Sequence, residues 1–324
     1  MELTGNNILV TGGAGFIGSN LIPRLVAAGA QVRATLFHRD PPQPVAGAEY
    51  VRADLENAKD CARACEGIEW VVLTAANSSG AAVMASTPLV HLVPNLVMNA
   101  RMLEAAYTAG VKKVLFLSSN TVYPLTDFPV KESDAGFEFY ESYHIVGWMK
   151  RFSEIMCEMY GTRIRQPMAT LVLRPGNIYG PYDKFDWKRS KVVAALIRKV
   201  VERQDPIEVW GDGHDLKDFI YVADVVDAIL LALVRLDSFA TLNIASGRPV
   251  TIREMLATLL KIEDLAHTQI RYDVSKPTMI PKRLIDISRA AAVLGFAPKV
   301  SLEDGLRRTL AWYRDQGHRL VEDQ

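Results

Sequence analysis

The stretch TGGAGFIGS, residues 11–19, sets Gly12, Gly15 and Gly18 three residues apart, directly after the apolar run NILV and directly before a helical pattern. Residues without side chains in that order allow a tight turn and a close approach of backbone to an anion. The helix that follows aims its free N–H groups and the positive end of its dipole at the same spot, and Phe16 and Ile17 within the motif are expected against the cofactor. In a strand–turn–helix setting the ligand this suits is the pyrophosphate of a dinucleotide. A second group with chemical capacity lies in ESYHIVGWMKRFSE, 141–154, where Tyr143 precedes Lys150 by seven residues. Moving a phenol from about 10 to near 7 takes roughly 4 kcal/mol, and a cation fixed close by in a site shielded from water supplies much of it. Seven residues span about two helical turns, which puts the two side chains within roughly 20° on one face but about 10.5 Å apart along the axis. Tyr143 reads equally well as a packing residue ahead of the helix.

These groups need a frame. NILVTG (7–12), QVRATLF (31–37), WVVLTAA (70–76), KVLFLSS (113–119) and ATLVLRPG (169–176) are short, continuous apolar runs. Helical patterns at 18–29, 93–110 and around Lys150 separate them, and Gly29 and Gly110 stand where C-cap glycines belong. Strands without alternation suit a parallel sheet covered on both faces, and the β–α rhythm makes it a doubly wound α/β (Rossmann) fold. After residue 176 the rhythm breaks into a Gly- and Pro-rich loop, GNIYGPYDKFDW, then helices and short strand-like pieces, with TLNIAS (241–246) reading as one more buried strand. The expected division is a dinucleotide-binding domain of 1–176 plus about 219–247. A smaller, mostly helical substrate domain takes 177–218 plus about 248–324. At the end of the second strand stand His38 and Arg39, with no carboxylate until Asp40. An acidic residue there holds the ribose of NAD, whereas a cation suits the extra phosphate of NADP; NADP is therefore expected ahead of NAD.

Composition excludes several classes. In 324 residues, 37 basic side chains balance 37 acidic ones, so nothing draws the chain to nucleic acid or to an anionic membrane. The longest apolar run, VVDAILLALV, carries Asp227 and falls short of a span. The N-terminus enters strand-like NNILV without a signal-peptide layout, and three cysteines make no disulfide framework, so a cytoplasmic protein is expected. The histidines are scattered without ligand spacing, and no metal is expected.

The motifs together resemble the extended branch of the short-chain dehydrogenase/reductase superfamily, the nucleotide-sugar-modifying NAD-dependent epimerase/dehydratase family. The spacing in TGGAGFIGS, RADLEN (52–57), LTAA (73–76), the run 95–119, NIYGP, GDGHDLKDFIYVADV and RLIDISRAAAVLGFAP follow it over nearly the whole chain. The Pro124 ending and VWGDGHDLKDFIY look closest to its GDP-fucose synthase members. The resemblance implies cofactor contacts from Asp54 and Leu55, from Ala75 and Ala76, and from Lys150. It places Ser119 of SSNTVYP on the catalytic Ser/Thr position and Lys150 on the catalytic lysine. The tyrosine that should precede that lysine by four residues is Val146 here. Thr121 and Lys191 fall where those members use a thiol and a histidine for epimerisation, and threonine is a far poorer base. Asn177, Lys191, Lys217 and Arg283 are implied substrate contacts, Lys217 replacing an arginine and losing its two-pronged grip on a diphosphate.

Two functions remain open on the sequence. One is an epimerase or reductase moving hydride at a sugar carbon, most simply C4, of a nucleoside-diphosphate sugar. The other is a cofactor-binding protein of the same fold that has lost its chemistry and acts as sensor or scaffold. Val146 favours the second; Ser119, Lys150, Lys217 and Arg283 favour the first, since a sensor needs no sugar-diphosphate site. The resemblance also implies a homodimer through the helices at 95–109 and 145–160.

Overall fold

The structure, a computed structural model, describes residues 3–78, 80, 83 and 86–317. The chain ends that the domain boundaries include, 1–2 and 318–324, lie outside the described residues. In chain order the first half contains β1 (Asn7–Thr11), α1 (Phe16–Ala27), β2 (Gln31–Leu36), β3 (Ala48–Arg52), α2 (Ala58–Cys65), β4 (Trp70–Leu73), α3 (Val93–Thr108), β5 (Lys113–Leu117), α4 (His144–Glu158) and β6 (Ala169–Pro175). There follow β7 (Asn177–Tyr179), α5 (Val192–Val201), β8 (Ile207–Trp210), β9 (Leu216–Lys217), β10 (Phe219–Tyr221), α6 (Val222–Arg235), β11 (Ala240–Ile244) and β12 (Val250–Thr251). The chain continues with α7 (Ile252–Ile262), β13 (Ile270–Asp273), β14 (Lys282–Arg283), α8 (Ser288–Leu294) and α9 (Leu302–Trp312).

The main sheet has seven parallel strands in the order β11-β6-β5-β4-β1-β2-β3. Its central strands are apolar on consecutive residues because both faces are covered. Ile8 and Val10 join a core with Leu21 and Leu25 of α1 and Val225 and Leu233 of α6. Leu9 and Val71 point the other way, into a core with Leu103 of α3, Phe116 and Cys157 of α4. No helix among the described residues is long and apolar enough to cross a membrane.

Three features differ from the sequence reading, each for a local reason. β3 has no counterpart in the expected strands: as the edge strand it has no fully buried residue, only exposed and half-buried ones, and it lacks the continuous apolar signature of its neighbours. The fourth strand stops at Leu73 instead of running to Ala76, because Thr74 and Ala75 turn their N–H groups to Thr11 Oγ1, both at 3.0 Å, and leave the ladder. Within the expected loop 176–187, Asn177–Tyr179 pairs in parallel with β10.

Beyond the sheet, β9 is flanked by β12 and β14, and β8 pairs with β13, forming a smaller body with α5, α7 and α9. The strand order reverses between β1 and β4, the place where an open α/β sheet offers a crevice at its carboxyl edge.

Candidate functional site

That crevice widens into a cavity of about 1250 Å³ running from the glycine turn to the smaller body. Single small-molecule sites occupy roughly 300–1,000 Å³, so this one has room for a dinucleotide and a second ligand.

At the sheet end the cavity is built from backbone. Gly12 has φ +74, and a Cβ there would lie 2.9 Å from the Ala75 Cα, so only glycine lets β1 and β4 close at this point. A Cβ on Gly18 would lie 2.4 Å from the Gly12 carbonyl oxygen; this glycine seats α1 on the turn and does not line the cavity. Gly12, Gly15, Phe16, Ile17, Ala75 and Ala76 all line it. The free N–H groups at the start of α1 and the missing side chains fit the pyrophosphate of a dinucleotide. His38, Arg39 and Asp40 line the cavity, and Asp40, the next carboxylate in sequence, is ion-paired with Arg52, which also holds the Phe37 and Arg39 carbonyls. Asp54 and Leu55 do not line the cavity: Asp54 Oδ1 accepts the Glu56 N–H at 3.0 Å and Leu55 is buried, leaving Glu56 on the wall.

In the middle lie Ser119, Thr121, Val146 and Lys150. Lys150 Nζ donates to the Leu117 carbonyl at 2.9 Å and stands 4.7 Å from the Phe116 ring centroid. Burial is the largest influence on its ammonium, partly offset by Glu154 and reinforced by Lys191, and it is pulled down to about 8. Ser119 stands two residues beyond β5 and caps a turn of 3₁₀-helix, its Oγ accepting the Thr121 N–H at 3.2 Å. Thr121 Oγ1 is buried without a hydrogen-bond partner on the same wall.

The turn carrying Ser119 is fixed by a buried network that the sequence did not reveal. Glu154 of α4 accepts Ser118 Oγ at 2.5 Å and the Arg174 guanidinium at 2.9 and 2.8 Å. Arg174 also donates to Tyr123 Oη at 2.9 Å, and that hydroxyl donates to Asn243 Oδ1 at 2.6 Å. Arg283, 1% exposed, belongs to this scaffold. It donates to the Tyr123 and Pro124 carbonyls at 2.9 and 2.8 Å and does not line the cavity, although it was expected on the substrate. These partners lie 20 to 160 residues apart in sequence, so no local signal announces them.

Tyr143 also lines the cavity, but the structure does not join its hydroxyl to Lys150. It ends a 3₁₀ turn and caps α4, which begins at His144, so it shares the cavity side with Val146 and Lys150 but stands about 10.5 Å before the lysine along the helix axis. Its phenol is pushed up to about 12 by burial, and the charges it feels most are Arg283 and Asp215. That is the opposite direction from a phenol tuned to exchange protons near neutrality. At the far end Asn177, Lys191 and Lys217 line the wall, Lys217 Nζ being 3.0 Å from Asp215 Oδ2.

Comparison with known proteins agrees with this geometry. The chain is 31% identical to a dTDP-4-dehydro-6-deoxy-D-allose reductase of a Streptomyces species, over 96% of this chain and 97% of that one. It is 32% identical to putative GDP-L-fucose synthase 2 of Arabidopsis thaliana, over 94% and 91%. Among solved structures it is similar to the UDP-glucose 4-epimerase of Thermotoga maritima with UDP-glucose, with a TM-score of 0.85 at 29% identity over 95% and 99%. A family model for NAD dependent epimerases/dehydratases matches residues 8–245, and with the glycine turn, the crevice and the Ser119–Lys150 wall already in place, the chain belongs to the NAD dependent epimerase/dehydratase family.

Proposed function

We propose that this chain reduces a keto group, most simply at C4, of a nucleoside-diphosphate sugar with NADPH, and that Lys150 itself gives the proton. The observation that carries this is the wall made by Ser119, Val146 and Lys150: the lysine faces the cavity with an aliphatic side chain where a phenol would stand. A bound nicotinamide supplies the hydride. Ser119 Oγ holds the sugar oxygen, and the Lys150 ammonium, kept in place by the Leu117 carbonyl, passes a proton to that oxygen as it gains charge. An ammonium that releases its proton near 8 is mostly in its acid form at neutral pH, which suits reduction. Oxidation of an alcohol needs the minority neutral amine. Thr121 offers a hydroxyl too weakly basic to remove a carbon-bound proton, so epimerisation at the neighbouring carbons is not expected. Asn177 faces the sugar, and Lys191 and Lys217 face the diphosphate.

The test is to incubate the protein with NADPH in deuterated water with nucleotide-linked 4-keto-6-deoxy sugars and read product masses. A gain of two hydrogens, with no deuterium on carbon after back-exchange, is expected. Carbon-bound deuterium would replace reduction by epimerisation through an enol, and no turnover with any of these sugars despite NADPH binding would sink the reading.

For the cofactor, support for NADPH over NADH comes from Arg39 and His38 on the wall and from the pairing of Asp40 with Arg52. Arg39→Ser is expected to raise KM for NADPH about 10- to 100-fold, the value of one or two charge-assisted hydrogen bonds, with KM for NADH unchanged; equal changes for both would remove Arg39 from the 2′-phosphate.

The chain acts as a homodimer in this reading. Trp148, Phe152 and Met159 form an exposed stripe on and just beyond α4, and Val93 and Tyr107 are exposed on α3, which lies against it. Stripes of this kind on adjacent helices are what a second copy would cover. Sedimentation is expected to give a dimer and Phe152→Asp a monomer; a monomeric parent protein would refute the arrangement. The buried, free Cys61, Cys65 and Cys157 suit the reducing cytoplasm.

A further inference from the structure

The far end of the cavity carries a side-chain arrangement that neither the reaction nor the cofactor uses. Along β8 the residues alternate: Ile207 and Val209 are buried in the core, so Glu208 and Trp210 share the opposite face, and both line the cavity. Trp210 is 38% exposed there and Trp187, also on the wall, 45%. The Arg198 guanidinium lies 4.2 Å from the Trp187 ring centroid and steadies that ring.

Glu208 is oriented. Arg271 Nη2 donates to its Oε2 at 2.5 Å, and Trp210 Nε1 donates to its Oε1 at 3.3 Å. Lys199 Nζ fixes the strand by donating to the Glu208 carbonyl at 2.6 Å. The carboxylate is held below its ordinary range, chiefly by the Arg271 hydrogen bond, so at neutral pH it only accepts. Each of its oxygens keeps an unused lone pair. The molecule thus presents exposed indole surface next to a fixed acceptor pair, at the end of the cavity remote from the glycine turn.

We propose that this is the base subsite of the sugar-nucleotide substrate, and that Glu208 selects guanine. This rests on the nucleotide-sugar reading above and adds to it the identity of the nucleotide. Aromatic faces stack on any base and give affinity without choice. The choice comes from the carboxylate. Guanine alone among the common bases carries two adjacent donors on one edge, N1–H and the N2 amino group, spaced to meet both oxygens of a carboxylate. Uracil and thymine offer a single N3–H between two carbonyl oxygens, which a carboxylate repels. Adenine and cytosine offer one amino donor beside a ring nitrogen that is itself an acceptor. The relatives named above act on dTDP-, GDP- and UDP-linked sugars by their names, so kinship leaves the base open and the chemistry of this wall decides it.

The experiment is calorimetric titration of the NADP-loaded protein with GDP, UDP, dTDP, ADP and CDP. GDP is expected to bind about 100-fold more tightly than UDP or dTDP, the scale at which a site built to pair a donor rejects ligands that lack it. Glu208→Gln, which turns one acceptor into a donor, is expected to bring GDP to within about threefold of UDP. Trp210→Ala is expected to weaken all five by about tenfold with the GDP:UDP ratio kept. Binding of UDP or dTDP as tight as GDP, or a ratio untouched by Glu208→Gln, overturns the guanine assignment and leaves the keto-reductase reading standing. Binding of none of the five overturns both.

Discussion

Lys150→Met is expected to lower the rate of keto-sugar reduction by about 10³-fold, within the 10²–10⁴-fold typical of a general acid, with thermal stability kept or raised. The argument starts from burial. Lys150 is held against the Leu117 carbonyl and over the Phe116 ring, and desolvation pulls its ammonium from 10.5 to about 8. The folded value lies below the unfolded one, so between about 8 and 10.5 the unfolded chain binds more protons and stability rises with pH; below about 8 the folded state carries a buried cation at a cost. Methionine keeps the length and removes that cost, so loss of activity cannot be put down to unfolding. Activity runs the other way with pH. A proton donor must be protonated, so kcat for reduction is flat below about 8 and falls above it, and in Lys150→Met the fall disappears with the group that caused it. The pH–rate profiles of the two proteins, with melting curves as control, check this. A limb near 8 that persists in the methionine variant would assign the proton to another residue.

Legibility divided along a physical line. The glycine turn and the central strands could be read because their causes are local: a missing side chain at Gly12, or burial of both strand faces, marks the residues concerned. The edge strand β3 faces solvent along one side and lost the signature the others carry. Tyr143 was weighed equally as a distant partner of Lys150 and as a packing residue; it shares the cavity with the lysine, but burial pushes its phenol up and not down. Arg283 was expected on the substrate because the family resemblance implied it. Here the fold uses its guanidinium to hold two carbonyls 159 and 160 residues upstream. The same holds for the Glu154–Arg174–Tyr123–Asn243 network, where each residue is ordinary until the sheet brings the four together. Val146 was the opposite case: the aliphatic side chain that the sequence sets four residues before Lys150 does line the cavity beside that lysine.

Restoring the phenol should move the proton from lysine to tyrosine. In Val146→Tyr the ring would project into the cavity that Val146 already lines, one helical turn, about 6 Å along the axis, before Lys150. Two effects follow from that distance. The ammonium at Lys150 stabilises the phenolate and draws the phenol from about 10 toward 7, and the phenol takes over contact with the sugar oxygen. At pH 7 a phenol so tuned is about half ionised, whereas an amine titrating near 8 is about one-tenth neutral, so more base is present for the reverse reaction. Oxidation of the sugar alcohol by NADP at pH 7 is therefore expected to rise about tenfold, with the limb near 8 displaced to lower pH. In the double variant Val146→Tyr/Lys150→Met the phenol loses its cation and stays near 10, so oxidation should fall about 500-fold below the single variant. Initial rates in both directions for the parent, the two single variants and the double form one cycle that separates the roles. If Val146→Tyr abolishes reduction and gains no oxidation, the space before Lys150 belongs to the substrate. If the double variant matches the single one, lysine does not tune the phenol. The cycle thus decides whether this site is a family member lacking one side chain or one rebuilt to run on the lysine alone.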